Sequence, residues 1–249
     1  MVELLAVEGL YKHFGGVVAT DRVDFAIAEG EIHALIGPNG AGKTTFVHQL
    51  AGALRSDSGR ISFGGVEVTH TSFDERVRLG IARSYQITSI FRSHSVLDNV
   101  ALAVLARSGS AFRFWRALAR ETALFDEASG IAAQVGLQTK LTQLAGRLPY
   151  GEQRRLEVAL ALATRPKLLL LDEPMAGMDP QATHGIVELV AGLKGKVTVL
   201  LVEHDMDAVF KLADRISVLV SGRVIATGAP DEIRVNSEVK RAYLGDEAA

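Results

Sequence analysis

The run Gly37-Pro38-Asn39-Gly40-Ala41-Gly42-Lys43-Thr44-Thr45 matches the pattern G-x-x-x-x-G-K-[ST]. Its setting is the one the pattern requires. The residues His33–Ile36 before it read as the end of a short strand, and the run from Lys43 to about Ala51 reads as a helix. Glycines let the backbone curl so that several N–H groups converge on phosphate oxygens, and the helix N-terminus adds partial positive charge. In such a loop Lys43 reaches the outer phosphates of a nucleoside triphosphate, and the Thr44 hydroxyl ligates Mg²⁺. Average residue frequencies give a chance match in roughly one or two of every hundred chains of this size, and the strand–loop–helix context makes chance rarer still.

A second feature lies far downstream. Leu168-Leu169-Leu170-Leu171-Asp172-Glu173 is an apolar strand that runs into two acids. Paired carboxylates are costly inside a sheet, so they belong at its carboxyl edge, where open α/β sheets place ligands. Successive strand residues face opposite sides, which gives the acids different tasks. Asp172 holds Mg²⁺, directly or through water, while Glu173 orients and deprotonates the attacking water.

Around these motifs the chain divides by pattern. Leu4–Val7, Val23–Ile27, Ile32–Ile36 and Arg60–Phe63 read as short strands, the last as half of a hairpin. From about Thr88 to Thr164 strand signals thin out, and Leu97–Ala106, Phe112–Ala128 and Gly151–Ala163 read as helices. Strands and helices alternate again from Lys167: strands at Leu168–Leu171, Val197–Val202 and Ile216–Val220, helices at Gln181–Leu193 and Met206–Ala213. Val224–Ala226 completes a hairpin, and Asp231–Leu244 reads as one closing helix. Continuous apolar strands alternating with helices predict a mainly parallel sheet covered on both faces. Phe112, Phe114, Trp115, Leu118 and Phe125 form an apolar group, read as helix packing, with a membrane or partner contact as the alternative.

Composition narrows the function classes. A formal net charge of −2 over 249 residues argues against a nucleic-acid binder, which would carry a basic stripe. With no cysteine, thiolate catalysis and Cys-ligated zinc are excluded. The first residues lack a basic segment followed by a long apolar run, so no signal peptide is expected. No apolar stretch approaches the ~18 residues of a membrane span. Work at a membrane would therefore go through an embedded partner.

With these residues in place, the chain resembles the ATP-binding subunits of ABC transporters, and within them most closely those of branched-chain amino acid importers. The supporting stretches are Leu148-Pro149-Tyr150-Gly151-Glu152-Gln153-Arg154-Arg155-Leu156-Glu157, Asp172-Glu173-Pro174-Met175-Ala176-Gly177-Met178, Glu203-His204-Asp205-Met206 and Ala242-Tyr243-Leu244-Gly245. The resemblance implies a single ABC ATPase domain over residues 1–249. Its P-loop and β core would span 1–87 and 165–249, with an antiparallel β part, and a helical subdomain would span about 88–164.

Site roles follow by matching motifs. Phe14 would stack on adenine, its other reading being a core phenylalanine. Gln86 would touch Mg²⁺ and the water and link to the membrane partner, and His204 would contact the γ-phosphate. Asp179 would lie in the loop that crosses a dimer interface. Leu148–Gln153 matches the signature that closes over the partner subunit's ATP, although Pro149, Tyr150 and Glu152 depart from the commonest form, Leu-Ser-Gly-Gly-Gln.

The implied assembly is a homo- or heterodimer of ATP-binding subunits at the cytoplasmic face of the membrane. Permease subunits would dock near Gln86 and Thr88–Ala106, and an importer would add an external substrate-binding protein. Three rival readings remain at this stage. One is a P-loop small-molecule or nucleotide kinase, another a soluble ABC protein of translation or repair. The third is the same ATPase serving urea or amide import or lipopolysaccharide export.

Overall fold

In the computed structural model, residues 2–84, 90–107 and 117–244 are described, with backbone alone at 117–121 and 243–244. Gln86, Phe112, Phe114 and Trp115 fall outside these residues, as does the side chain of Leu118. Phe125, the remaining member of that apolar group, is exposed on its helix.

The chain opens with two long antiparallel strands, β1 (Glu3–Phe14) and β2 (Val17–Ala28), which turn at Gly15-Gly16. β1 also pairs with β4 (Ser58–Phe63), and β4 with β5 (Val66–Glu67), to give an antiparallel sheet in the order β2-β1-β4-β5. The second sheet holds β3 (Ile32–Ile36), β6 (Ile81–Ser84), β7 (Leu168–Asp172), β8 (Thr198–Val202), β9 (Arg215–Val220) and β10 (Arg223–Gly228). Its order is β10-β9-β3-β8-β7-β6, parallel throughout except for the β10–β9 hairpin. The expected α/β core and antiparallel β part are both present.

The central strands alternate between two cores, which is why their sequences are apolar without a break. Leu168, Leu170, Leu200 and Val202 face a cluster shared with α1 (Lys43–Ala51) and the antiparallel sheet. Leu169, Leu171, Val199 and Leu201 face a cluster shared with α3 (Val96–Arg107), α4 (Ala117–Gln134), α5 (Tyr150–Ala163) and α6 (Pro180–Ala191). A third cluster joins β3 and β9 to α7 (Met206–Leu212), α8 (Pro230–Val235) and α9 (Ser237–Leu244).

Two elements escape the hydrophobic pattern. α2 (Phe73–Leu79) is short, but Ser72 and Glu75 form a reciprocal capping box at its start. β6 is only four residues long and carries Arg83 in its interior. The closing segment is also corrected. Asp231–Leu244 is two helices, broken at Asn236, whose Oδ1 accepts from the N–H groups of Glu238 (2.8 Å) and Val239 (3.1 Å) and so starts a new helix.

Candidate active site

Strand order puts the predicted residues in a row together with Arg83 and Glu203. The loop Gly37–Thr45 follows β3, Glu203 and His204 follow β8, Asp172 and Glu173 end β7, and Arg83 lies near the end of β6. All are at carboxyl ends of neighbouring parallel strands. Three strand spacings make the row roughly 15 Å long, enough to span a triphosphate and its metal.

The loop is shaped by two glycines. A Cβ on Gly37 would lie 2.0 Å from the Leu219 carbonyl oxygen, and one on Gly42 would lie 2.1 Å from that of Ala19. Gly42 also has φ +104°, a conformation that side chains resist, and it precedes the first turn of α1. Asn39, Gly40 and Thr44 are exposed, while Pro38 and Thr45 are partly so and Ala41 is buried. Lys43 bends back over the loop, and its Nζ donates to Gly37 O (2.6 Å) and Pro38 O (3.0 Å). Burial pushes its pKa down, against the pull of Glu173 and Asp172.

Both acids thus act on Lys43, and the strand alternation that underlies the expectation of opposite faces ends at Asp172. β7 ends at Asp172, and Glu173 turns out of the strand at φ +49°, with its N–H on Val202 O (2.9 Å). A non-glycine residue at positive φ is held there by its surroundings, and such positions concentrate at functional sites. Asp172 is buried, and burial pushes its carboxyl pKa up, opposed by the Arg83 guanidinium and reinforced by Glu173. Arg83 Nη2 donates to Asp172 Oδ2 at 2.9 Å, whereas Asp172 Oδ1 is buried with no hydrogen-bond partner among the described residues. That orphaned oxygen, with the exposed Thr44 hydroxyl in the first turn of α1, is a donor set suited to a hard cation and its waters.

Glu203 was quoted in a motif but given no role by the sequence. Its buried carboxylate accepts from Met175 N (2.9 Å) and His204 N (3.1 Å). Burial raises its pKa and those backbone donors lower it. It therefore ties the turn after Glu173 to His204. A charged residue directly after an apolar strand was the available signal. The His204 ring itself is 65% exposed, with its Nδ1 3.7 Å from Glu203 Oε2.

Other predicted residues sit further out. Phe14 is 48% exposed at the β1–β2 tip, which rules out the core reading, and Lys12 Nζ lies 5.4 Å from its ring centre. Asp179 caps α6 by accepting from Ala182 N (2.9 Å). In the signature, Leu148 and Gln153 are buried, and Gln153 Nε2 donates back to Leu148 O (2.8 Å). Pro149 and Tyr150 are exposed, with Gly151 and Glu152 partly so. No hydrogen bond or ion pair among the described residues joins 148–153 to 37–45.

A phosphate loop at the end of one parallel strand, with an acid pair two strands away, defines a P-loop nucleoside triphosphatase. The sequence model described as ABC transporter matches residues 20–176. One described as branched-chain amino acid ATP-binding cassette transporter matches residues 223–249. The chain belongs to the ABC transporter family as an ATP-binding, ATP-hydrolysing cassette. It is 38% identical to the high-affinity branched-chain amino acid transport ATP-binding protein LivG of Salmonella typhimurium, over 98% of both chains. Among solved structures, it resembles the ADP conformation of the cassette MJ1267 (TM-score 0.85, 29% identity, 98% of this chain and 100% of that one). The cassette MJ0796, a dimer bound to ADP and Pi, shares the fold (TM-score 0.77, 24% identity, 91% and 99% covered). No described helix is long and apolar enough to cross a membrane.

Proposed function

We propose that this chain powers uptake of branched-chain amino acids. It would act as one of two ATPase subunits on the cytoplasmic face of a pair of permease subunits, fed by an external substrate-binding protein. The observation that carries the cargo is the full-length likeness to LivG together with the family match over residues 223–249. The nucleotide site itself touches no cargo.

ATP lies with its triphosphate in Gly37–Thr45 and its base on Phe14. Lys43 exchanges the carbonyls of Gly37 and Pro38 for phosphate oxygens. Thr44 and Asp172, with Gln86, hold Mg²⁺, whose charge offsets that of the outer phosphates. Glu173 deprotonates the water, and His204, steadied through Glu203, contacts the γ-phosphate. The signature Leu148–Gln153, by its match to the family motif, serves the partner's ATP, with Asp179 beside it at the interface. Residues about 88–164 form the helical subdomain between 1–87 and 165–249.

The test is transport. Purified with its membrane partners and placed in vesicles, the complex should take up leucine, isoleucine or valine when ATP is supplied. Uptake of urea or another amide instead, or outward movement of lipopolysaccharide, overturns the cargo assignment.

A further inference from the structure

We infer that Arg83 is a positioning residue for the metal: it clamps one oxygen of Asp172 so that the other faces the Mg²⁺ site. This rests on the proposal that Asp172 serves Mg²⁺.

Three observations converge. First, the pair is buried: the side chains of Arg83 and Asp172 are 5% and 0% exposed, with Nη2 donating to Oδ2 at 2.9 Å. β6 and β7 run in parallel register, Arg83 beside Leu170 and Ser84 beside Leu171, which brings the guanidinium level with the end of β7. Second, parity along the strands places both groups on the α1 face. Ile81, two residues from Arg83, and Leu170, two residues from Asp172, both belong to the core cluster under α1. His48 of α1 feels the charges of both Arg83 and Asp172. One helical turn earlier on that face is Thr44, the proposed metal ligand. Third, the clamp is one-sided. Oδ2 is engaged, and Oδ1 is buried without a hydrogen-bond partner among the described residues.

A carboxylate that serves a metal is usually oriented by a neighbouring donor, and loss of that donor costs about 10–100-fold in metal affinity or activity. Arg83 fits that role, because it fixes carboxylate rotation while leaving an oxygen free. Arginine also remains charged at all working pH values, so the clamp persists when nucleotide is absent.

The experiment measures binding of a fluorescent ATP analogue to the purified protein in EDTA and across a titration of free Mg²⁺, with Mn²⁺ binding followed by EPR as a check without turnover. Arg83→Gln should leave affinity in EDTA within about threefold of the parent and raise the half-saturating Mg²⁺ about 10–100-fold. Arg83→Lys, which keeps the charge but offers a single donor, should recover only part of that loss. An Arg83→Gln protein with an unchanged Mg²⁺ midpoint overturns the inference, and so does a lowered midpoint, which would make Arg83 a competitor of the metal. If Arg83→Gln fails to fold by circular dichroism, the Lys variant decides: its single donor should shift the midpoint by about threefold or more, and no shift overturns the proposal. Asp172→Asn separates the two layers. A parental Mg²⁺ midpoint in that variant overturns the metal assignment of Asp172 itself, whereas a raised midpoint there with none in the Arg83 variants overturns only the clamp.

Discussion

Replacing Arg76 with methionine should destabilise the whole nucleotide-binding half without touching the nucleotide site. Arg76 is 2% exposed and has no acid among its hydrogen-bond partners in the described residues. Its guanidinium donates to the carbonyls of Gln49 (2.6 Å) and Leu50 (2.7 Å) at the end of α1, and to those of Val68 (2.6 Å) and Thr69 (3.1 Å) after β5. Burial pushes its pKa down to about 10, which leaves it charged at neutral pH. The last carbonyls of a helix need such donors, and the helix dipole favours a cation there. In the variant, Gln49 O keeps Gly52 N and Val68 O keeps Thr71 N, whereas Leu50 O and Thr69 O lose their guanidinium donor. Each buried polar group left unmatched costs about 1–3 kcal/mol, and removal of a buried charge returns part of that. A net loss of about 3 kcal/mol is expected, or roughly 6–12 °C in Tm for a chain of this size. Thermal unfolding followed by circular dichroism measures it. Arg76→Lys should fall between, since one ammonium cannot fork across both carbonyl pairs. A methionine variant within about 0.5 kcal/mol of the parent would refute the reasoning.

Two further outcomes follow from buried titratable groups. Glu203→Ala should cut kcat about 10–100-fold while the KM for ATP stays within about threefold, because the turn after Glu173 and the backbone of His204 lose a common anchor; steady-state kinetics at saturating Mg²⁺ reads this, and a KM rise with kcat intact contradicts it. His33 is buried between Glu31 Oε1 and Ser217 Oγ, both 2.8 Å away, and burial lowers its pKa. Below about pH 6.5 the unfolded chain binds a proton there that the folded chain does not, so stability falls as pH drops. Urea titrations of His33→Gln between pH 7 and 5 should give a flatter acid limb, and an unchanged slope would remove His33 as its source.

How far the sequence reached depended on local signals. Gly37–Thr45 and Leu168–Glu173 were legible because each couples a fixed residue spacing to a strand end, and the fold places both at carboxyl ends of the same sheet, two strands apart. α2 was passed over although Ser72 and Glu75 announce its cap, since the helix is too short for hydrophobic periodicity to stand out. β6 hid behind Arg83, which reads as polar but is buried by pairing with an acid 89 residues away. The opposite-faces argument for Asp172 and Glu173 reaches only as far as the strand does: alternation holds inside a strand, and the chain leaves it at Glu173 with φ +49°. Glu203 and Arg83 owe their positions to tertiary partners, which no spacing along the chain reveals.

The central claim is that Glu173 activates the hydrolytic water. Replacing it with glutamine preserves size and hydrogen bonding but removes the base. Glu173→Gln should bind ATP with parental affinity, lose turnover by about 10²-fold or more, and accumulate as an ATP-bound dimer on size exclusion. Hydrolysis by the variant at the parental rate would contradict the account.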